Sequence, residues 1–340
     1  MSSADRYREA GVDLDAADRA KQRIAEAVAS TRTELARGGI GAFGGMVRLP
    51  EDLERPTLVM STDGVGTKVL VAILAGRHDT VGEDLVNHSV NDILVHGARP
   101  IAFLDYLAVA EASTETIAAL VEGVARGCRE HGMNLVGGET AQLPDLYHPG
   151  HYDIAGTIIG VVAEDRAIHG SDVRVGDVLV GYASSGLHTN GYTLARRIVF
   201  DELELTVDSE LPGLGVSVGD ELLKVHRSYW HALSPALDDV HALAHITGGG
   251  IPGNLGRSLP DGCGAEVDRG AWPVPDVFRM LADAGKVSDS EMFEVFNMGI
   301  GMIAVVPPNR VESVRQVAGE SGVDTWTVGR IVEGTGVRLA

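Results

Sequence analysis

Apolar positions along the chain switch repeatedly between a helical and a strand rhythm. Residues 13 to 36 (DLDAADRAKQRIAEAVASTRTELA) space Ala, Ile, Val and Leu at the helical period, and Gly38 and Gly39 follow as stop signals, so the pattern predicts one amphipathic helix. GGIGAFGG at 38 to 45 is too glycine-rich for either regular element and reads as a mobile loop. Beyond Pro56, LVMSTD is a short apolar run closing in polar residues, and GVGTK then turns into an Ala- and Leu-rich helix. Residues 79 to 96 wrap Val81, Leu85, Val86, Ile93 and Leu94 around another helix, and 101 to 110 read as a buried strand. A helix at 114 to 131, a short apolar piece NLVGGET, a polar loop with Pro144 and Pro149, and a strand at 154 to 163 complete the first half.

A polar, turn-rich stretch at 165 to 175 marks a boundary, after which DVLVGYASSG opens a second alternating series that closes with GIGMIAVVPP, a helix and a strand. Residues 207 to 216 read as a surface loop. The expected fold class is therefore α/β, in two domains, 1–168 and 169–340, each with its own core; 340 residues are enough for that.

Composition narrows the chemistry. Apolar residues make up 44% of the chain, and 28 basic against 48 acidic residues give a formal charge of −20 without any basic block, which argues against a nucleic-acid partner. A small anionic ligand remains compatible, held by backbone N–H groups at helix starts, by isolated lysines, or by Mg²⁺ between phosphates and carboxylates. Cys128 and Cys263 have neither zinc-ligand spacing nor a disulfide framework, no apolar run approaches a membrane span, and the start MSSADRYREA carries no signal-like core, so a cytoplasmic protein is expected.

Five constellations could carry function. TDGVGTK at 62 to 68 ends a strand in an acid, lets two glycines approach a ligand and opens a helix with a lysine, although a tight strand-to-helix connection explains the same residues. In VNDI, Asn91 and Asp92 interrupt a helical apolar pattern. Asp84, His88, Asp92 and His96 share one helix face, where hydrogen-bonded Asp and His are a better reading than a metal quartet, with Asp92 alone the better candidate for Mg²⁺. VGGET exposes Glu139 after two glycines. Asp63, Asp92 and Glu139 thus offer three oxygen ligands from three elements, or else three ordinary surface acids. SSGLHTNGYTLAR at 184 to 196 and HITGGGIPGNL at 245 to 255 are glycine turns opening helices, suited to anions; His188 lies in the first of them.

Taken in order, GGIGAFGG, TDGVGTK, VNDI, DYLAVA, LVGGETA, LPDLYH, SSGLHTNGY, HITGGG and FNMGIGM, with the opening YREAGVDLDA, resemble the aminoimidazole ribonucleotide synthetase family along nearly the whole chain. The resemblance implies an α+β first domain whose sheet pairs with its twin in a homodimer, and a larger mixed α/β second domain. It implies a reaction in which formylglycinamidine ribonucleotide and ATP give aminoimidazole ribonucleotide, ADP and phosphate. ATP phosphorylates the formyl oxygen, and the ribosyl-bearing nitrogen then closes the ring and expels phosphate.

On that resemblance Asp63, Asp92 and Glu139 would bind Mg²⁺ and ATP, with K⁺ a further candidate ion, and Lys68 would neutralise phosphate charge. Gly44 of the lid loop, Gly64, Gly66, Thr67, Asn91 and Gly138 would complete the nucleotide site. Ser185, Gly186, His188 and Asn190 would contact substrate, with His188 moving a proton, and Gly248, Gly249 and Gly250 would hold a phosphate. Asp63, Lys68 and His188 would be the catalytic set. The chain departs from the family wording at VHRSY (225 to 229), which keeps Arg227 and Tyr229 but lacks the usual Pro-Thr pair, and at His88, Ser89 and His96. A thiamine-phosphate kinase of the same superfamily, which lacks the HTNGY and GGETA wording, is one rival reading. A catalytically silent nucleotide-binding dimer is the other.

Overall fold

The computed structural model describes residues 14–38, 44–110 and 113–340. Most of the GGIGAFGG loop and the start of YREAGVDLDA lie outside these residues. The first helix, α1, runs Leu14–Ser30 and stops at Ser30 rather than at 36. There the hydroxyls of Ser30 and Thr31 bond back to the carbonyls of Ala27 and Val28, and the Thr33 N–H donates to Asn134 Oδ1 at 2.7 Å. Short polar side chains that compete for backbone groups end the helix.

The first unit is a four-stranded sheet of β1 (Pro56–Gly64), β2 (Arg99–Val109), β3 (Asn134–Gln142) and β4 (Tyr152–Ala163), in the order β1-β4-β2-β3. The NLVGGET piece is thus the start of a full edge strand. β2 and β3 are parallel, so the chain must cross over between them, and helix α4 (Thr114–Glu130) makes the crossing; α2 (Lys68–Ala75) and α3 (Asp79–Leu94) precede it. Alternation puts Ile154, Gly156, Ile158 and Gly160 on the buried face and Ala155, Thr157 and Ile159 on the other. α3 and α4 cross at glycine: a Cβ on Gly82 would stand 2.3 Å from the Leu120 carbonyl oxygen, and one on Gly123 only 1.9 Å from that of Asp79.

The second unit is a six-stranded sheet of β5 (Val178–Ala183), β6 (Ala242–His245), β7 (Cys263–Val267), β8 (Ile300–Val306), β9 (Thr325–Glu333) and β10 (Val337–Leu339), in the order β10-β7-β9-β5-β8-β6. All its pairs are antiparallel except β10 with β7. The segment 207–216 is irregular, yet Leu211 within it is buried. One continuous cluster of buried apolar side chains runs from Leu85 and Phe103 in the first unit to Ile246 and Ile303 in the second. The two units therefore share a core. No helix among the described residues is long and apolar enough to cross a membrane.

Candidate active site

The seam between the two sheets collects most of the residues singled out in the sequence. β1 ends at Asp63 and α3 runs beside it, so the period of the helix brings Asp84, His88 and Asp92 to the seam. His88 Nε2 lies 2.9 Å from Asp63 Oδ2 and 3.6 Å from Asp92 Oδ2, so the two carboxylates converge. The hydrogen bond from His88 holds the Asp63 carboxyl below the usual range. Burial opposes charge on Asp92, but its hydrogen bond with His245 (Nδ1 to Oδ1, 2.9 Å), the charges of His245 and His88 and the Ser61 hydroxyl together outweigh it and lower that pKa too. Burial likewise works against His88, and the flanking carboxylates override it and raise the pKa.

A cavity of about 470 Å³ opens onto this group, lined by Ser61, Asp63, His88, Asp92, His245, Thr247 and Arg257 among others. Asn254 lines it too, and Thr247 opens the glycine turn that runs to Gly250. Asn254 Nδ2 donates to the carbonyls of Thr247, Gly248 and Gly250, and Gly249 and Gly250 take φ of +93° and +60°, which suits glycine. A second cavity of about 540 Å³ lies between the TDGVGTK turn and the 184–191 loop, lined by Gly66, Thr67, Asn190, Gly191, Thr193 and Arg197. Thr67 and Thr193 hydroxyls bond across it at 3.1 Å.

Lys68 and His188 are placed otherwise than their motifs suggest. The Lys68 ammonium has no solvent exposure and is bound by Asp84 Oδ2 at 2.8 Å and by the carbonyl oxygens of Lys224 and His188 at 2.7 and 3.2 Å. Its three donors are used, so it faces into the protein rather than into either cavity. His188 is buried at φ +64° and stacks on His226 with ring centres 4.0 Å apart. Burial, helped by neighbouring cationic groups, drives its pKa well below the ordinary value, so the ring is held neutral. Asn91 is also buried: its Oδ1 accepts from the Tyr229 N–H at 2.9 Å and its Nδ2 donates to the Arg227 carbonyl at 2.8 Å. Ser185 Oγ donates to the Val225 carbonyl, and the Gly186 carbonyl accepts from Asn297.

Gly44, Gly138 and Glu139 are not brought to this seam. Glu139 lies on β3, at the edge of the small sheet opposite β1, where it pairs with Tyr106 of β2. Three strand spacings, roughly 14 Å, separate it from Asp63, too far to share one ion within a single chain. Gly44 adjoins Gly45, whose backbone packs on Val136 of β3. Sequence reasoning passed over His226, His245 and Arg257. His245 and the segment holding His226 were in view as parts of HITGGG and VHRSY, but only fold brings them beside Asp92.

Two α/β units, joined by a seam of glycine turns, acids and histidines, define the class: the architecture seen in two enzymes or maturation proteins of known structure. Thiamine-monophosphate kinase from Stenotrophomonas maltophilia superposes with a TM-score of 0.66 at 20% identity, over 95% of this chain and 94% of that one. E. coli HypE, a hydrogenase maturation protein, gives 0.66 at 20% identity, over 94% and 92%. At that identity the likeness shows the fold alone. The family models of AIR synthase related protein match residues 41–162 (N-terminal domain) and 174–340 (C-terminal domain). The chain is 46% identical to phosphoribosylformylglycinamidine cyclo-ligase of Desulfatibacillum aliphaticivorans, over 97% of this chain and 96% of that protein. It is also 46% identical to the protein of the same name from Sorangium cellulosum, over 96% and 95%. The chain belongs to the AIR synthase family.

Proposed function

We propose that this protein is an ATP-dependent cyclo-ligase of purine biosynthesis that converts formylglycinamidine ribonucleotide to aminoimidazole ribonucleotide, releasing ADP and phosphate. Identity of 46% over nearly the full length of two proteins named for that ligase carries the reading. The terminal phosphoryl group of ATP passes to the formyl oxygen, making it a phosphate leaving group. The ribosyl-bearing nitrogen then bonds to the formyl carbon, gives up its proton, and the carbon–oxygen bond to phosphate breaks. Such chemistry needs positioning and charge neutralisation more than a covalent nucleophile.

Asp63 and Asp92, ionised and converging on the seam cavity of about 470 Å³, fit Mg²⁺, which takes one or two carboxylates and completes its shell with phosphate and water. When bound there, Mg²⁺ would neutralise phosphate charge. Arg257 lines the same cavity, and with the Gly248, Gly249, Gly250 turn that follows Thr247 it would suit a phosphate group. Gly64, Gly66, Thr67 and Asn190 would shape the adjoining space for ligand, with Ser185 and Gly186 behind them. Neutral His188 would accept the proton released at ring closure once its loop moves. Lys68 we read as positioning, pinning the turn to the 184–191 loop through its contact with the His188 carbonyl. Gly44, Gly138 and Glu139 we assign to nucleotide at the far edge of the small sheet, where a second copy would complete the site in a homodimer. We take 1–168 and 169–340 as the two domains and place the protein in the cytoplasm, in keeping with two unpaired cysteines.

The test is incubation with formylglycinamidine ribonucleotide, ATP, Mg²⁺ and K⁺, following ADP and the diazotisable aminoimidazole together. Equal yields of both support the reading. ADP without aminoimidazole would turn it to a kinase of the superfamily, and neither product to a nucleotide-binding protein without turnover.

A further inference from the structure

Three imidazoles from three separate segments meet at the seam: His88 on α3, His226 in the segment before Tyr229, and His245 at the end of β6. His226 and His88 stand at two of the positions where this sequence leaves the family wording, and the fold puts them together. The ring centres of the three are 5.1, 5.0 and 5.2 Å apart, nearly an equilateral triangle, with planes inclined at 70°, 68° and 63°. One ring nitrogen from each lies within 4.8 Å of those of the other two. Three imidazoles around a single tetrahedral zinc ion, with Zn–N of about 2.0–2.1 Å, would have ring centres about 5 Å apart. The observed triangle has that size.

The hydrogen bonds assign the nitrogens of His226 and His245; His88 uses Nε2 toward Asp63 Oδ2 and Nδ1 toward Thr189 Oγ1, both at 2.9 Å, so an ion would take the place of one of these two bonds. Asn91 Oδ1 accepts from the Tyr229 N–H, so its Nδ2 is the atom 3.2 Å from His226 Nε2, and that nitrogen is the acceptor, with a lone pair that an ion would take over from Asn91. Its Nδ1 then donates to Thr189 Oγ1 at 3.2 Å. His245 Nδ1 faces the Asp92 carboxylate at 2.9 Å and so carries the hydrogen, leaving a lone pair on Nε2 in the neutral ring. The two Nε2 atoms face each other at 3.1 Å. Two lone pairs at that distance repel unless something electropositive lies between them. A carboxylate holding the outer nitrogen of one histidine and a hydroxyl holding that of another are the usual outer shell of imidazole ligands to zinc. His88 and His245 also line the cavity of about 470 Å³, which gives an ion a path in and leaves a fourth coordination position open to solvent.

We propose that His88, His226 and His245 form a three-imidazole site for a borderline dication of the zinc class, open on its fourth side to the cavity, that ties the two α/β units together. Imidazole nitrogen selects such ions over Mg²⁺, so the two sites differ in the ion they prefer, although Asp63 and Asp92 hydrogen-bond His88 and His245 and so border both. It stands independently of the cyclisation reading.

The full-length protein, stripped with chelator and dialysed, is titrated with Co²⁺ and followed in the visible region, with zinc as competitor. One equivalent should give the intense d–d bands of four-coordinate Co²⁺ and be displaced by one equivalent of Zn²⁺. His226→Thr should weaken binding by at least about tenfold, and Asp92→Asn, which removes an outer-shell partner, by about 10–100-fold. Zinc should also raise the melting temperature of the parent and not of His226→Thr. Only the pale spectrum of octahedral Co²⁺ in the parent, or a four-coordinate spectrum that survives unchanged in His226→Thr and in His88→Met, overturns the proposal. Should either variant fail to fold in circular dichroism, the stoichiometry and spectrum of the parent decide.

Discussion

Lys68 carries its charge where no water reaches it, and among the described residues the full counter-charge in contact with it is Asp84, equally buried. Burial pushes both toward neutrality, and each holds the other charged. Lys68→Met removes one partner and strands the other, which costs about 3–5 kcal/mol; the urea midpoint should fall accordingly, and pairing it with Asp84→Leu should recover much of the loss. An unchanged midpoint would remove the positioning role. Asp105 poses the opposite case, an acid with no cationic partner, pushed up to about 6 by burial. The folded chain keeps a proton there that the unfolded chain, titrating near 4, has already released. The stability it contributes is therefore fully present below about pH 4 and is lost as pH rises through 6. Asp105→Asn should be more stable than the parent by about 1–3 kcal/mol at pH 7, with the difference vanishing below pH 4, as measured by urea melts across that range. Asp63 and Asp92 were legible because an acid at the end or interruption of an apolar run has few structural reasons to be there. Lys68 was misread because the same spacing serves a lysine turned toward a ligand and one turned inward, and only the partners, 16 and more positions away in sequence, decide.

At the scale of elements, α3 bears Asp84, His88, Asn91 and Asp92, so its axis sets the site. The apolar period of 79 to 96 fixed the helix, and its mixed Asp and His face looked like one partly open to water. In the fold that face is covered by residues 224–229 and β6 instead, contacts that no local period encodes; this is why His226 and His245 were not visible as its partners. What locks α3 in place is the glycine crossing with α4. Gly123→Ala would drive its methyl into the Asp79 carbonyl, where 1.9 Å is available, so the helices must separate. The expected cost is about 1–3 kcal/mol from overpacking. Because Asp84, His88 and Asp92 move with the helix, cyclo-ligase activity should fall more than tenfold even at temperatures where circular dichroism shows the variant folded. Activity equal to the parent in the folded variant would mean that the site does not depend on the position of α3.

For the whole molecule, the small sheet is unfinished as it stands. Its inner face is packed by α3 and α4, while its outer face presents Leu58, Met60 and Tyr106 at 44%, 63% and 42% exposure, with Thr62 and Thr157 between them. The short pair Ala36–Arg37 and Met46–Val47 and the side chains beside it cover only the end near Ile101, Ala102 and Val161. A contiguous apolar patch on a sheet face is a surface that soluble proteins normally cover. The homodimer proposed above would provide the cover, and it would also account for Glu139, on that outer face beside Tyr106, lying so far from Asp63 within one chain. Met60→Lys puts a charge at the centre of the patch. Sedimentation equilibrium should show a dimer for the parent and a monomer for Met60→Lys, and if the Glu139 edge serves the nucleotide only across the dimer, ATP turnover should fall with dissociation. A parent that is monomeric yet fully active would overturn both the dimer and the need for a second copy; a dimer indifferent to Met60→Lys would place the interface elsewhere on the molecule.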